Sequence, residues 1–572
     1  MRRMLVLWLA GCGSAESPSD RTAGLDGITS DADCDAPVVR YYDADGDGHG
    51  DPAMPVALCA DVEGFVDNDD DCDILRPDVS PSATEICGDL LDNDCDGADL
   101  ACVAPELATD GISYRTDSPT FGFAALMAGP IDLDGDGALE VLTGDPKARS
   151  GRGHALLLEM PDAPLGGEEY ALTDPGAPVY FAIEGDADNE LGSTLAAVWL
   201  DPVATYPDTA AMGVVGPINI GGIDLQTAIY LFTTPQSTTT LTDADLTLYG
   251  AAGDPSLSYE GYEALGAGRW LEDSGDQGVL AASDPLTERV WVVPLGTISD
   301  GDAVTTRGVG FANLDFNNDY GAALHWADLN GDGLDDLVVG VPAYDVDEVA
   351  GIENGGGVWM LDGATIQEFA SSTEPNMKDH GTLVYLNGTD IGAGRQLDAA
   401  DFDGDGLPEL VLGGFDENVG APGSITLVDP DGLPETFAGT EHPHDDLPGN
   451  LRVARIHGDE AFDFFGFDVA ALQRPQAMVA VGAPGREETG GEDVLGDGVW
   501  LLPMDDEVLD ATSESVSAST DFFLETDEPA DGLGLGLHPA GDVDGDDEDE
   551  LWISAPGVTA GGRAVLMLRT SL

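Results

Sequence analysis

A three-part pattern recurs seven times between residues 105 and 572, at spacings of 55 to 74 residues, and it constrains the fold more than any other feature. Each copy opens with an aromatic or aliphatic residue followed by Gly. A short apolar run follows, usually ending in small residues and Pro, as in LVVGVP, and then a further apolar segment such as GVWMLDG. Several segments alternate apolar and polar residues, which is typical of half-buried strands. The seven anchor pairs are Phe121-Gly122, Leu191-Gly192, Leu265-Gly266, Tyr320-Gly321, Ile391-Gly392, Phe465-Gly466 and Leu535-Gly536.

Three recognisable strands and a variable fourth in each copy predict an all-β domain, a seven-bladed β-propeller over residues 105–572. The last copy ends just after its third strand. The segment GISYRTDS, at 111–118, precedes the first copy and has no blade of its own. We therefore expect it to supply the outer strand of the last blade, which would tie the two ends of the domain together and hide two sheet edges.

Four of the copies contain an Asp-rich nonapeptide between the first and second predicted strands. Oxygen-bearing side chains occupy positions 1, 3, 5 and 9, glycine at position 6 permits a sharp bend, and the carbonyl of position 7 completes the shell. Hard oxygen ligands without His or Cys favour Ca²⁺ over zinc or copper. The predicted ligand positions are Asp132, Asp134, Asp136, Ala138 and Glu140; Asp328, Asn330, Asp332, Leu334 and Asp336; Asp401, Asp403, Asp405, Leu407 and Glu409; and Asp542, Asp544, Asp546, Glu548 and Glu550.

An EF-hand begins with the same pattern, but it needs a bidentate Glu at position 12 and flanking helices. Position 12 is Thr143, Val339, Leu412 or Ile553, each within a predicted strand, so the EF-hand is excluded. A single match would fit a solvated turn equally well. Four matches in phase with an independent repeat argue for binding sites, although Asp547 replaces the position 6 glycine in the last of them.

Together the anchor, the nonapeptide and the GAP-like ending resemble the FG-GAP repeat of integrin α-subunit propellers and their bacterial relatives, over residues 105–572. Copies two, three and six lack the nonapeptide, so we expect metal-free blades there. The resemblance implies calcium on one face and partners on the opposite face. It places outward-facing loops after the GAP-like endings. Taken singly, each candidate contact there also fits an ordinary loop residue; the candidates are Lys147, Arg149, Arg152, Tyr344 and Arg486.

All seven cysteines lie before residue 103, which marks a separate module at 31–104. Few apolar side chains lie there, so cross-links and bound cations must offset its ordering entropy. Six cysteines suit three disulfides in an oxidising compartment, in a pairing that the sequence does not choose, and the alternative is free or metal-binding thiols. These six are Cys34, Cys59, Cys72, Cys87, Cys95 and Cys102.

The cysteine-rich segment resembles a metal-binding module of the MopE type, common in surface proteins of myxobacteria and related bacteria. The resemblance is carried by the sequences at 41–51, 71–73 and 85–97. The family label mentions copper, but one histidine among many carboxylates favours calcium. A second loop, with Asp92, Asp94 and Asp96, has Leu100 at position 9, which leaves its occupancy open. The expected ligands of the first loop are Asp43, Asp45, Asp47, His49 and Asp51.

The N-terminus has a double arginine, an apolar run and the sequence Leu9-Ala10-Gly11-Cys12, which resembles the lipobox of bacterial lipoproteins. We expect residues 1–11 to be a signal peptide, Cys12 to be lipidated, and the polar residues 12–30 to form a flexible tether. Gly13 gives no inner-membrane retention signal, which favours the outer membrane or cell surface. The alternative is a mis-assigned start before an ordinary secreted protein.

The charge balance, 110 Asp and Glu against 20 Lys and Arg, excludes nucleic acid as a partner because phosphates require a basic surface. The eight histidines form no HExxH motif, and His442-Pro443-His444 is their one close pair. We therefore expect no enzyme, and a membrane contact through the lipid anchor alone. Calcium-dependent adhesion or recognition of an unidentified surface protein or polysaccharide ranks first, followed by a structural coat component and then a propeller hydrolase or lyase acting on polysaccharide.

Overall fold

The structure is a computed structural model of the 572-residue chain. It describes residues 38–46, 48–58, 62, 64–72, 74, 76, 79–81, 95, 111–115, 124, 126–133, 135, 137, 139–145, 152–159, 169–172, 179–185, 191–192, 194–201, 204, 206–220, 223–233, 239–250, 265–270, 277–284, 288–313, 319–344, 355–386, 391–415, 422–430, 440–443, 452–458, 464–473, 477–485, 498–504, 514–516, 523–525, 532–543, 549–555 and 563–567. The chain divides into two compact units, the first ending at residue 103 and the second beginning at 104.

The first unit contains a small antiparallel sheet in which β1 (Val38–Tyr42) lies between β2 (Pro55–Leu58) and β3 (Phe65–Val66). A disulfide joins Cys72 to Cys95, which confirms one of the predicted cross-links. The remaining cysteines lie outside the described residues, as do the predicted signal peptide and tether; they are Cys12, Cys34, Cys59, Cys87 and Cys102.

The second unit is all-β, and its described strands form seven sheets, each containing four antiparallel strands. We number the sheets in chain order. Sheet 1 contains β5 (Met127–Ile131), β6 (Glu140–Asp145), β7 (His154–Glu159) and β9 (Val179–Glu184); sheet 2 contains β10 (Thr194–Val198), β11 (Thr209–Ile220), β12 (Ile223–Phe232) and β14 (Leu246–Tyr249); sheet 3 contains β15 (Leu265–Trp270), β16 (Gln277–Asp284), β17 (Arg289–Pro294) and β19 (Val309–Ala312).

The other four sheets follow the same order of strands. Sheet 4 contains β20 (Leu324–Ala327), β21 (Asp336–Gly340), β22 (Gly357–Leu361) and β23 (Thr382–Tyr385); sheet 5 contains β24 (Gln396–Ala400), β25 (Glu409–Gly414), β26 (Ser424–Asp429) and β28 (Arg452–His457); sheet 6 contains β29 (Val469–Leu472), β30 (Met478–Ala483), β31 (Gly498–Pro503) and β33 (Phe523–Glu525); sheet 7 contains β34 (Leu537–Gly541), β35 (Glu550–Ala555), β36 (Arg563–Met567) and β4 (Gly111–Arg115).

Short elements fill the connections between the third and fourth strands. Five are strands that pair in parallel with the fourth strand of the preceding sheet: β8 (Glu169–Ala171), β13 (Thr239–Thr240), β18 (Asp302–Ala303), β27 (Thr440–Pro443) and β32 (Glu514–Ser515). The described helices are short: two 3₁₀ turns, Leu241–Asp243 and Leu295–Thr297, and three α-helical turns, Val304–Arg307, Gly363–Gln367 and Met377–His380.

The predicted closure strand is present. β4 pairs antiparallel with β36, from Gly111 opposite Met567 to Arg115 opposite Arg563. The first strands of the seven sheets contact one another in chain order, and β34 of sheet 7 contacts β5 of sheet 1. The succession of sheets therefore returns to its starting point.

The hydrophobic core lies between neighbouring sheets. Every residue of β30 (MVAVGA) is buried, as are those of β25 and β35, because these second strands are covered on both faces. Sheets 7 and 1 share a cluster in which the rings of Tyr114 and Trp552 lie 5.4 Å apart. Continuous apolar runs in the sequence therefore mark strands between two packed sheets.

The glycine of the anchor pair packs against the second strand of the preceding sheet. Gly192 of sheet 2 lies against Gly144 of sheet 1, and Gly466 of sheet 6 against Gly413 of sheet 5. Gly192 and Gly466 have φ of 89° and 86°, a region that side chains disfavour, and a Cβ on any of the four would meet backbone. This close approach explains why both the anchor and the GAP-like ending contain glycine.

In three copies the anchor pair of the sequence lies elsewhere than in sheets 2 and 6. In sheets 5 and 7 the glycines that pack on the preceding sheet are Gly394 and Gly534, each two residues from the predicted Gly392 and Gly536. Leu265-Gly266 lies inside β15 rather than before it. A Gly after an apolar residue is common in this glycine-rich chain, so sequence alone did not fix the register of these anchors.

Candidate metal sites

Two of the Asp-rich nonapeptides, 328–336 and 401–409, are described in full. Each joins the end of the first strand of its sheet to the start of the second, β20 to β21 in sheet 4 and β24 to β25 in sheet 5. Both loops are exposed in their middle positions and buried at position 9. The loop thus has its middle positions in solvent and its position 9 acid at the buried start of the second strand.

The carboxylate at position 1 is fixed by backbone N–H groups of its own loop. In sheet 5, Gly404 donates to Oδ1 of Asp401 at 2.7 Å and Gly406 to Oδ2 at 3.0 Å. Sheet 4 repeats the arrangement, in which Asp328 accepts from positions 4 and 6 at 2.8 and 2.9 Å. Both carboxylate oxygens of each Asp are therefore oriented before any ligand binds.

Glycines at positions 4 and 6 make this turn possible. Gly404 and Gly406 have φ of 76° and 97°, and Gly331 and Gly333 have φ of 73° and 87°. The sequence prediction used only the glycine of position 6. The glycine of position 4 was visible in every nonapeptide and is part of the same signal.

The side chains at positions 3 and 5 each accept a hydrogen bond from the N–H two residues further on. Asp403 accepts from Asp405 at 3.1 Å, and Asp405 accepts from Leu407 at 2.8 Å. In sheet 4, Asn330 and Asp332 accept in the same way at 3.0 and 2.9 Å. These local bonds turn alternate side chains to one side of the loop.

The result in sheet 5 is a cluster of carboxylates. One ligand oxygen from each of Asp401, Asp403 and Asp405 lies within 4.8 Å of the others. Among the described residues, this is the one group of three or more acidic, His or Cys side chains that approach so closely. Sheet 4 has Asn330 at position 3, so its loop offers two carboxylates and an amide oxygen at the same positions.

The acid at position 9 lies at the start of the second strand and accepts from the N–H of position 2. Glu409 accepts from Phe402 at 2.6 Å, and Asp336 from Leu329 at 3.1 Å. The same bond occurs in the other two loops, where Glu140 accepts from Leu133 at 3.0 Å and Glu550 from Val543 at 2.7 Å. All four acids, Glu140, Asp336, Glu409 and Glu550, are buried, with at most 2% exposure.

Burial raises the pKa of Glu409 to about 8, and the negative charges of Asp403, Asp429 and Asp401 add to the rise. The pKa of Asp336 is likewise raised to about 8, chiefly by burial and further by Asp362 and Asp332. Hydrogen bonds from the backbone offset only part of both rises. Crowded, buried carboxylates of this kind bind a cation readily, because its charge removes their mutual repulsion.

The donor set fits a hard divalent cation. The side chains of positions 1, 3, 5 and 9 offer only oxygen, and so does the carbonyl of position 7. The loops of sheets 1 and 7 share the position 9 bond of sheets 4 and 5, and in sheet 1 Asp132 at position 1 accepts from Gly135 at 2.8 Å. The remaining predicted ligands of these two loops lie outside the described residues: Asp134, Asp136, Ala138, Asp544, Asp546 and Glu548.

The loop in the first unit begins with the same turn. Asp43 accepts from Gly46 at 2.8 Å and from Gly48 at 3.2 Å. Its later positions differ, since Nδ1 of His49 lies 2.9 Å from Oδ1 of Asp70 and the buried Asp51 accepts from the N–H of Ala53 at 2.7 Å. The described residues bring three predicted ligands of this loop, Asp43, Asp45 and Asp51, into no close group; Asp47, Asp92, Asp94 and Asp96 lie outside them.

Two of the predicted partner contacts are described. Arg152 is exposed. Tyr344 is half-buried; it packs against the core of sheets 3 and 4, and its ring centroid lies 5.5 Å from that of Tyr385. This packing is itself sufficient to explain an aromatic side chain at position 344. The other three, Lys147, Arg149 and Arg486, lie outside the described residues.

Sequence reasoning missed the hydrogen bonds that residues of neighbouring sheets make with these loops. Gln473, directly after β29, hydrogen-bonds to the backbone of Asp401. Asp335 and Asp549, at position 8 of their loops, accept from the N–H groups of Arg269 and Gln473 at 2.7 and 2.9 Å. No sequence signal pointed to Gln473, because it lies 72 residues beyond Asp401 and outside any motif.

Comparison with known proteins agrees with these observations in two places. The family model of the FG-GAP repeat matches residues 320–361, from the anchor Tyr320 through the nonapeptide of sheet 4 to the end of β22. The MopE-type family model, described as a "putative metal-binding motif", matches residues 71–99, which include both cysteines of the disulfide. No curated protein matches the chain. In the described part of the chain, no helix has the length and apolar character needed to cross a membrane. The chain therefore carries an FG-GAP repeat in its second unit and a MopE-type metal-binding motif in its first.

Proposed function

We propose that this chain is a calcium-binding surface lipoprotein that recognises a partner through a seven-bladed β-propeller. The propeller is supported by the seven four-stranded sheets, by the contacts of their first strands in chain order, and by the pairing of β4 with β36. The FG-GAP match over sheet 4 supports extending that repeat to the other six sheets.

The convergence of Asp401, Asp403 and Asp405 is the observation that carries the calcium proposal. These side chains, the carbonyl of Leu407 and the carboxylate of Glu409 would hold the ion. A bound Ca²⁺ would offset the negative charge of these side chains and so stabilise the loop that connects β24 to β25. Calcium suits a flexible oxygen-rich loop better than Mg²⁺, which demands near-ideal octahedral geometry and keeps several waters.

Surface attachment and recognition rest on other features. The lipobox-like sequence before Cys12 supports a lipid anchor, and the FG-GAP and MopE-type matches support a surface role. The partner would be a surface protein or a polysaccharide, bound without turnover. The acidity of the chain argues against nucleic acid.

The test uses the purified full chain, stripped of metal by chelation. Isothermal titration with Ca²⁺ and with Mg²⁺ should show several calcium sites with dissociation constants of about 0.1 to 1 mM and weaker magnesium binding. Absence of calcium binding would contradict the metal assignment.

Recognition is tested separately, on arrays of glycans and of surface proteins with calcium or with chelator. Calcium-dependent retention without chemical change of the bound molecule supports recognition. Release of sugar fragments from a bound polysaccharide would show that the protein is an enzyme and overturn the proposal.

A further inference from the structure

A further acid lies opposite position 9 in sheets 1, 4 and 5, at the end of the third strand. In sheet 1, Glu159 pairs directly with Glu140. In sheets 4 and 5 the ladder between the second and third strands is formed up to the residue next to position 9. One step further along the third strand lies Asp362 in sheet 4 and Asp429 in sheet 5. The register therefore brings an acid to the same place in all three sheets.

The described sheets without a nonapeptide have no acid at this place. Their second strands likewise begin opposite the last residue of the first strand, so the equivalent position follows from the ladders. It is Thr233 in sheet 2, Gly296 in sheet 3 and Pro503 in sheet 6. In sheet 7 the sequence has Leu568 after the last paired residue, and Leu568 lies outside the described residues. The acid thus accompanies the Asp-rich loop in sheets 1, 4 and 5.

Two of these three acids are buried together with position 9. Asp362 is 0% exposed and Asp429 is 2% exposed, whereas Glu159 is exposed. Directly opposite residues of antiparallel strands lie on the same face, with their Cβ atoms about 4.5 to 5.5 Å apart. The pairs Asp336 with Asp362 and Glu409 with Asp429 therefore place two carboxylates side by side, away from water.

The charge of both buried acids acts on ligand positions of their loops. Burial and then the charge of Asp362 raise the pKa values of Asp336 and Asp332, which are positions 9 and 5 of the loop in sheet 4. Asp429 adds in the same way to the effect of burial on the pKa of Glu409. Buried like charges this close together are unfavourable unless a cation offsets them.

Asp362 also caps the helix Gly363–Gln367. Its Oδ1 accepts from the N–H of Ala364 at 3.0 Å, and its Oδ2 accepts from the hydroxyl of Thr365 at 2.8 Å. Asparagine caps helices about as well as aspartate. Capping therefore does not require a negative charge at position 362, and the charge needs another explanation.

We infer that Asp362 and Asp429 determine the calcium affinity of sheets 4 and 5 through their charge, without contacting the ion. This inference rests on the proposed function, because it assigns a role within the calcium sites. Coulomb attraction between a buried carboxylate and a nearby cation is only weakly screened by water and salt. Glu159 is exposed, so its contribution in sheet 1 is small.

Calcium titration of the full chain, stripped of metal by chelation, tests the inference. Asp429→Asn keeps the shape of the side chain and removes its charge, so one site should bind Ca²⁺ about tenfold more weakly. Asp362→Asn should weaken the site of sheet 4 by a similar factor, and it serves as the test if Asp429→Asn fails to fold. Asp468→Asn is the matched control, because Asp468 is a buried acid outside every Asp-rich loop. It should leave calcium affinity unchanged.

Two further measurements separate charge from packing. The loss of affinity in Asp429→Asn should be larger for Tb³⁺ than for Ca²⁺, because Coulomb energy is proportional to the charge of the ion. In a chain that already carries Asp403→Ala, which removes the site of sheet 5, Asp429→Asn should cause no further loss of calcium binding.

The inference is wrong if the native chain binds calcium and both Asp429→Asn and Asp362→Asn retain its affinity. Equal losses for Tb³⁺ and Ca²⁺ would also overturn it, because they would show that the two acids act on the shape of the loop. Absence of calcium binding by the native chain would instead overturn the proposed function, and this inference with it.

Discussion

The side-chain amide of Gln473 makes two hydrogen bonds to the backbone of Asp401. Its Nε2 donates to the carbonyl of Asp401 at 2.6 Å, and its Oε1 accepts from the N–H of Asp401 at 3.0 Å. The N–H of Gln473 donates in turn to Oδ2 of Asp549 at 2.9 Å. Sheet 6 has no Asp-rich nonapeptide, yet through Gln473 it connects the loop of sheet 5 to the loop of sheet 7.

Replacement of Gln473 should weaken calcium binding at loop 401–409. Gln473→Ala removes two hydrogen bonds that position Asp401, so we expect calcium affinity at that site to fall by about three- to tenfold. Gln473→Glu keeps an acceptor for the N–H of Asp401 and should lose less. Gln367→Ala, at an exposed helix position in sheet 4, is the matched control. Calcium titration of the three variants measures the effect. Equal losses of calcium affinity in Gln473→Ala and Gln367→Ala would show that the hydrogen bonds of Gln473 do not position Asp401 for calcium.

Removal of one position 3 ligand should affect one site alone. Asp403→Ala takes away a carboxylate of the cluster in sheet 5, and the remaining loops keep their own ligands. We expect the calcium stoichiometry to fall by one site, with the other sites titrating as before. Glu368→Ala removes an exposed carboxylate outside every loop and should change nothing. Uniform weakening of all sites in Asp403→Ala would show that the loops do not bind independently.

Stability of the calcium-free protein should fall as the pH rises. The pKa values of Asp336 and Glu409 are raised to about 8, against about 4 in an unfolded chain. The folded state therefore holds more protons, and this contribution is complete below pH 4 and lost as the pH approaches 8. Calcium should raise the melting temperature more at pH 8 than at pH 5.5, and Glu409→Gln should flatten the pH dependence of the calcium-free protein. A calcium effect that is larger at pH 5.5 would contradict this reasoning.

The buried acid Asp468 gives a contrast within the same molecule. Burial raises the pKa of Asp468 to about 8, although it accepts from Leu537 at 2.7 Å and from Val469 at 3.0 Å. It lies in no Asp-rich loop. Asp468→Asn should reduce the pH dependence of melting equally with and without calcium, whereas a calcium-dependent change would link this residue to the metal.

Loss of the disulfide should affect the first unit and spare the second. Cys72→Ser together with Cys95→Ser removes a cross-link from a unit with few apolar side chains. Such a change costs small domains about 2 to 5 kcal/mol. The second unit contains no cysteine, so its melting transition should stay within experimental error. Calorimetry that shows both transitions lowered together would reveal that the units depend on each other.

The lipid anchor can be tested on whole cells. Cys12→Ala removes the residue that would carry acyl chains, and the protein should move from the membrane fraction to the soluble fraction. Cys34→Ala provides a matched control, because Cys34 lies beyond the proposed tether and should not affect attachment. Unchanged membrane association of Cys12→Ala would show that the N-terminal sequence is not a lipobox.

Sequence periodicity predicted the strands because apolar runs mark strands buried between two sheets. The pairing of residues 111–115 was predicted because the last copy ends after its third strand and this segment precedes the first copy. The nonapeptides predicted the acids of positions 1 and 9, whose hydrogen bonds recur in sheets 4 and 5. Two-residue strands such as Thr239–Thr240 have no periodicity to detect. The register of Gly394 and Gly534 depends on contact with another sheet, and Gln473 acts through a tertiary contact that leaves no local pattern.

The position of β4 also determines when the second unit can finish folding. Ser113 pairs with Val565, so the strand that closes sheet 7 is synthesised before nearly all the rest of the unit and must await the last strands made. Closure is a contact between distant parts of the chain, which is slow because the entropy of a long loop is lost before the ladder forms. Until then both β4 and the outer edge of β36 are open to wrong partners. Export of the chain in an unfolded state, with chaperones bound until synthesis is complete, would keep these two strands apart until they can pair with each other.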